Sequence, residues 1–376
     1  MIQGRELSDS SLQINSLDGL RGFAVLCVFL GHASHVGTPL FPCADFSGVG
    51  KSGVYLFFVL SSFLLTSAFM KKGTGAFGKE FLLNYAVRRF FRIYPLYLLY
   101  LLLALATSCF LWNSRGTRHI GIPFFLSLEN FFRHLLLTRN FGITWSISVE
   151  FRYYFFLPII AFIHSAVLKN RIIPAVVLTI ILVAGSQWLW PEGAAVTNDN
   201  RLGPYLPIFF MGSLLALLIH RWQNSPLHSF YQARIAIECL GLAAALALIY
   251  MIPSVYSHFH GHAVKVDQFY RQIILQGLLW SLVLFAAIHG AGPIRGLLAT
   301  PFLRYLGFIS FSMYLWHIVV LIDLMHYKTT LPLPLLGWLA FALSIAISHV
   351  SWLLIEKPPA KIRFRLAAPK KQCLPA

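Results

Sequence analysis

Two ionisable residues share one hydrophobic run near the start of the chain. The run is LDGLRGFAVLCVFLGHASH, Leu17 to His35, with Arg21 toward one end and His32 toward the other. A histidine inside an apolar segment is costly to keep there, and a neutral imidazole can take a proton from a hydroxyl as a general base. At about 100° per residue, the separation of Arg21 and His32 closes three helical turns plus roughly 20°, so both side chains project from one face. The rise between them is about 16 Å, half the thickness of a bilayer's hydrocarbon core. Asp18, Val25, Val28 and His35 fall on the same stripe. Taken alone, Arg21 also fits a plain topology signal at a membrane edge.

A second group of cations follows. Arg88, Arg89 and Arg92 place three guanidiniums within five residues. Such a cluster suits a polyanion, because arginine presents phosphate with a planar fork of donors. It suits an anionic lipid surface equally well. Glu150, five residues after Trp145, is a carboxylate on another apolar run. It could orient His32, hold it protonated, bind an acceptor hydroxyl, or simply pair with Arg152; Asp45 is a rival partner for His32. His317 reads as a packing or hydrogen-bonding residue, with a second catalytic histidine as the lesser alternative. The HFHGH alternation (His258, His260, His262) invites zinc, but no Cys, Asp or Glu stands beside it, and no metal is expected. A serine elbow, a P-loop and a dinucleotide fingerprint are all missing.

The elements that must position these residues are membrane helices. The chain of 376 residues is 57% hydrophobic and only 11% charged, well under the charge of a soluble domain. About 20 mostly apolar residues make one span. That rule predicts an all-α polytopic membrane protein of about ten helices in one bundle, near 17–35, 53–70, 94–112, 145–165, 172–190, 204–221, 235–252, 272–290, 303–325 and 335–356. Residues 1–376 read as a single domain with a short basic tail from about 357. The net charge of +17 comes from short clusters between apolar runs, which argues against nucleic acid as the partner. With the N-terminus cytoplasmic, 20 of the 30 Lys and Arg fall inside, so both termini are expected there. The five cysteines show no paired spacing and read as scattered small hydrophobes.

Several motifs together resemble the membrane-bound acyltransferase 3 family. They are the Arg21 to His32 spacing after LDGLRG, GVYLFFVLSSFLL (Gly53 to Leu65), and RRFFRIYP with its R-x-x-R at Arg89 and Arg92. WSISVEFRYYFFLP, YLGFISFSMYLWH (Tyr305 to His317) and IEKP (Ile355 to Pro358) complete the order. Two departures stand out: Ser62 where the family commonly has glycine, and Arg152 in a usually less basic stretch. The resemblance implies an O-acyltransferase in a bacterial cytoplasmic membrane. It would move an acyl group, acetyl first, from cytoplasmic acyl-CoA to a hydroxyl of a glycan or lipid-linked saccharide. It assigns the donor's phosphates to Arg89 and Arg92, with Arg88 and Arg21 close by, and the catalysis to His32 and Glu150, His32 acting as base or as brief acyl carrier. No soluble domain follows IEKP, so the enzyme is expected to act alone or with a separate extracytoplasmic partner. The competing expectation is a proton-coupled transporter of a small anion, with His32 and Glu150 as relay, although no inverted internal symmetry is visible.

Overall fold

Each of the ten apolar runs lies on helix in the computed structural model, which describes residues 2–115, 126–226 and 230–359. The helices in chain order are α1 (Ile2–Val36), α2 (Val49–Lys72), α3 (Lys79–Arg115), α4 (Leu128–Leu135), α5 (Trp145–Phe162), α6 (Ile172–Leu189) and α7 (Leu206–Gln223). They continue as α8 (Tyr231–Tyr250), α9 (Pro253–His260), α10 (Ile273–His289), α11 (Pro293–Leu298), α12 (Pro301–Phe308), α13 (Ser310–Leu324) and α14 (Leu333–Ser351). Among the described residues there is no strand. Among the described residues, eight helical segments are long and apolar enough to cross a bilayer, including Asn15–Val36, Val49–Lys72 and Gly142–Val167.

Two expected spans depart from a straight rod. Helix α10 has 17 residues, about 26 Å at helical rise, just short of the hydrocarbon thickness. Helices α12 and α13 meet at 81°, so the ninth run is a broken span or a re-entrant turn. Its apolar composition extends through the bend, so hydropathy alone cannot locate it. The tail IRFRLAAPKK and Cys373 lie outside the described residues.

Burial sets the layers. In α2 and α7, 72% of the apolar window is buried inside the protein, whereas α6 buries 17% and α8 and α14 bury 28% each. The first two are therefore central pillars, and the others turn large side chains such as Ile173, Trp188, Leu246 and Leu354 outward, as lipid requires. Helix α1 is the hub, packed against α2, α10, α11, α12 and α13.

Small residues permit that packing. A Cβ on Gly22 would fall 1.9 Å from the Leu303 carbonyl oxygen, and one on Gly307 would fall 2.0 Å from the Asp18 carbonyl oxygen. Helices α1 and α12 thus touch backbone to backbone, the close approach typical of small residues in membrane bundles. Of the two glycines of LDGLRG, Gly22 serves this contact, and Gly19 serves the one with α11, where a Cβ would fall 1.6 Å from the Leu298 carbonyl oxygen. Ser62 does similar work between α2 and α7: its Oγ donates to the carbonyls of its own helix, at Phe58 (3.0 Å) and Val59 (3.1 Å). It then fills the space over Gly212, where a Cβ would collide with it.

Candidate active site

Five helices enclose a cavity of about 510 Å³, within the size range of small-molecule sites. Each contributes one face at helical spacing. Helix α1 gives Leu17, Asp18 and Arg21; α5 gives Ser146, Ile147, Glu150 and Tyr154; α13 gives Ser310, Phe311 and Tyr314. Helix α2 lines it from Val54 to Lys71, and Arg89, Arg92 and Ile93 of α3 complete the wall. The cations gather at one end. Arg21 sits at the start of α1's apolar segment, Lys71 near the end of antiparallel α2, and Arg89 and Arg92 just beyond on α3. Of the expected site residues, Arg21, Arg89, Arg92 and Glu150 therefore share one chamber. Arg88 does not: it is exposed and absent from the lining.

The three cavity arginines differ in their partners. Arg92 Nη1 donates to Glu356 Oε2 at 2.7 Å, and the side chain of Glu356 is only 3% exposed. The other carboxylate oxygen accepts the Ser312 backbone N–H at 3.1 Å and the Ser312 hydroxyl. The IEKP motif is thus an anchor for Arg92. Arg21 stands 3.6 Å from Asp18. Arg89 has no carboxylate partner among the described residues; its guanidinium lies 5.7 Å from the Tyr154 ring centroid, and its buried Nε has no hydrogen bond. A buried donor without a partner is a ready contact for an oxyanion.

Glu150 does not meet His32. Its Oε1 accepts the Tyr154 hydroxyl at 2.8 Å, four residues along the same helix. The ion pair with Arg152 is not formed either. Arg152 instead donates to the carbonyls of Asn200 (2.6 Å) and Leu137 (2.5 Å), tying two loops to α5. Asp45 is exposed, and its Oδ1 accepts the Ser47 N–H at 2.8 Å.

The partner of His32 is His317. His32 Nδ1 and His317 Nε2 are 2.8 Å apart, and the two rings lie edge to edge with centroids 5.0 Å apart and 26° between planes. His317 is buried, and its Nδ1 lies 2.9 Å from the Met313 carbonyl oxygen. On α13 the spacing of Ser310, Tyr314 and His317 is that of one helix face, so the cavity wall continues to the histidines. On α1 the stripe from Arg21 runs through buried Val25 and Val28 to His32. Sequence reasoning read His317 as a packing or hydrogen-bonding residue, and the structure shows it hydrogen-bonded; the partner of that bond was the part that spacing did not reveal.

The cavity ends before the pair. Neither histidine lines it; Tyr314 does, with its ring centroid 6.0 Å from that of His317. The Tyr314 hydroxyl donates to the Ile143 carbonyl at 2.7 Å and stands 2.6 Å from Ser146 Oγ. Tyr314 thus stands between the cationic chamber and the histidines. On the far side of the bundle Lys51 is buried, with its ammonium on the carbonyls of Ala195 and Val196 and on Asn198 Oδ1 at 2.8 Å. The rings of Trp145, Tyr205 and Tyr270 surround it with centroids at 5.0, 6.0 and 4.9 Å. The HFHGH histidines assemble no metal site. Among the described residues no group of three or more His, Cys, Asp or Glu could hold a metal ion.

Comparison with known proteins matches this arrangement to one family. Over 96% of each chain, it is 26% identical to nodulation protein 10 of Rhizobium leguminosarum bv. viciae. A Bacillus subtilis (strain 168) protein provisionally named a peptidoglycan O-acetyltransferase is 25% identical over 94% of this chain. A Staphylococcus aureus (strain COL) protein provisionally named an O-acetyltransferase is 23% identical over 92%. The chain spans only 56% and 57% of the lengths of those last two relatives. No solved structure gives a significant match. A family model described as an acyltransferase domain matches residues 14–356, which include every helix lining the cavity. The chain belongs to this membrane-bound acyltransferase family.

Proposed function

We propose that this acyltransferase moves an acetyl group from cytoplasmic acetyl-CoA to a hydroxyl of a glycan or lipid-linked saccharide at the opposite membrane face. One observation carries the reading: a chamber with Arg21, Lys71, Arg89 and Arg92 at one end stops one tyrosine short of the His32–His317 pair. The cations suit the phosphates of coenzyme A, and Arg89, with its unpaired buried donor, is the leading contact. For an extended pantetheine arm to carry the thioester up the Arg21–His32 stripe, a rise of about 16 Å, the Tyr314 ring that closes the chamber must swing aside. At the top, His32 takes the proton of the acceptor hydroxyl while that oxygen attacks the thioester carbonyl. The new C–O bond forms, the C–S bond breaks, and the departing thiolate receives the proton from the imidazolium.

The positive cluster supports a cytoplasmic location for the donor end, by the excess of Lys and Arg on that side. The names of the Bacillus and Staphylococcus relatives support acetyl as the group, and the Bacillus name alone supports a surface glycan as the acceptor. The test uses purified protein in liposomes, radiolabelled acetyl-CoA and a panel of glycan acceptors. Label transfer to glycan, or slow hydrolysis without acceptor, is the expected outcome. Absence of both, alongside proton-coupled flux of a small anion, would overturn the reading in favour of transport.

A further inference from the structure

We propose that His317 is a positioning residue that fixes the tautomer of His32, so that the lone pair facing the reactants is on Nε2. The inference rests on the reading of His32 as the proton acceptor and adds the residue that sets its orientation. It follows from a chain of hydrogen bonds with one consistent direction. The Met313 carbonyl can only accept, so the 2.9 Å contact to it requires a proton on His317 Nδ1. A neutral imidazole with its proton on Nδ1 has its lone pair on Nε2. That lone pair faces His32 Nδ1 at 2.8 Å, so His32 Nδ1 must carry the donated proton. The lone pair of His32 therefore falls on Nε2.

The surroundings hold this direction in place. Met313, Phe29 and Tyr314, the neighbours of His317, are buried. The Tyr314 hydroxyl is committed to Ile143 and Ser146 and does not compete for either ring. The two rings lie near one plane, 26° apart with centroids at 5.0 Å, as an in-plane N–H···N bond requires. When His32 accepts the hydroxyl proton on Nε2, its Nδ1–H remains bonded to His317, and the developing cation is stabilised through that bond. The arrangement does for a base on helix α1 what a buried acceptor does for other catalytic histidines: it selects one tautomer and one ring orientation.

Nitrogen-15 NMR on histidine-labelled, reconstituted protein tests the inference directly. In the wild type, His32 should show a protonated Nδ1 and an unprotonated Nε2. His317→Phe removes the acceptor while keeping ring bulk; it should move the His32 proton to Nε2 and lower kcat by about 100-fold or more, with the KM for acetyl-CoA changed by less than about threefold. His317→Gln can still offer an amide oxygen to Nδ1–H and should retain kcat within about tenfold of wild type. Wild-type His32 protonated on Nε2, or His317→Phe at wild-type kcat, would overturn the proposal. The wild-type spectrum decides even if His317→Phe fails to fold. His32→Ala separates the two levels: an active His32→Ala sinks the base reading itself, whereas an inactive His32→Ala beside a fully active His317→Phe sinks only the role of His317.

Discussion

Arg92 and Glu356, 264 residues apart in sequence, meet as an ion pair of 2.7 Å whose carboxylate is almost wholly buried. The contact fastens α3 to the end of α14 and, through Ser312, to the start of α13. The two arginines of the R-x-x-R motif therefore differ in role. Arg92 is held by an acid of the protein, and Arg89 is not.

That division has a measurable consequence. Glu356→Ala strips a buried carboxylate from three donors and leaves the Ser312 N–H unpaired. The expected loss is on the order of 2 kcal/mol of stability, discounted because Arg92 is about a third exposed. Arg89→Ala removes no ion pair, so thermal stability should change little. Its KM for acetyl-CoA should rise roughly tenfold to a hundredfold, the worth of one charge-assisted phosphate contact. Thermal unfolding in detergent beside donor titration separates the two; a donor KM unchanged in Arg89→Ala would return that residue to a lipid-anchoring role.

The second expectation concerns the base. His32→Ala should cut transfer by about 100-fold to 10,000-fold while the protein still elutes as a folded monodisperse species and retains donor binding. His32 is only partly buried and its partner keeps the Met313 bond, so no large folding penalty is expected. Transfer at more than a tenth of the wild-type rate would reduce His32 to structure.

Tyr314 gives a third. Its hydroxyl latches to Ile143 and Ser146 at the blind end of the cavity. Tyr314→Ala should join the donor chamber to the histidine pair and raise acceptor-independent hydrolysis of acetyl-CoA relative to transfer. Tyr314→Phe, which keeps the ring and loses only the latch, should fall between that variant and wild type. Equal hydrolysis-to-transfer ratios in all three proteins would show that Tyr314 does not separate the chamber from the base.

Much of the scaffold could be read in the chain, because length and hydropathy are local properties: all ten apolar runs lie on helices, and four of the six expected site residues line one cavity. Partners were harder. The spacing of Arg21 and His32 fixed a common face, but nothing in spacing says which residue 285 positions away meets His32. Glu150 was a natural candidate, being a carboxylate in an apolar run; instead its own helix supplies Tyr154, one turn on, and satisfies it locally. Arg88 differs from Arg89 only in helical phase, which turns it out to the surface. The two departures from the family pattern also find local causes, Ser62 against Gly212 and Arg152 on the Asn200 and Leu137 carbonyls.

Lys51 carries the last expectation. It is a buried cation in α2 whose ammonium reaches the carbonyls of Ala195 and Val196 and the amide of Asn198, under three aromatic rings. Membrane helices rarely bury lysine unless it has such partners. Here it pins the 195–198 segment over the start of α2, next to Gly50, where a Cβ would lie 3.9 Å from Cε1 of His32. Lys51→Met keeps the length and volume of the stem and removes the donors, leaving carbonyls facing a thioether. The segment should loosen, with faster amide exchange across residues 193–201 and a stability loss on the order of 2 kcal/mol. Lys51→Arg preserves the charge but does not fit a site shaped for a compact ammonium, so partial loosening is expected. Amide exchange unchanged in Lys51→Met would show that the backbone of the segment, and not the lysine, holds it in place.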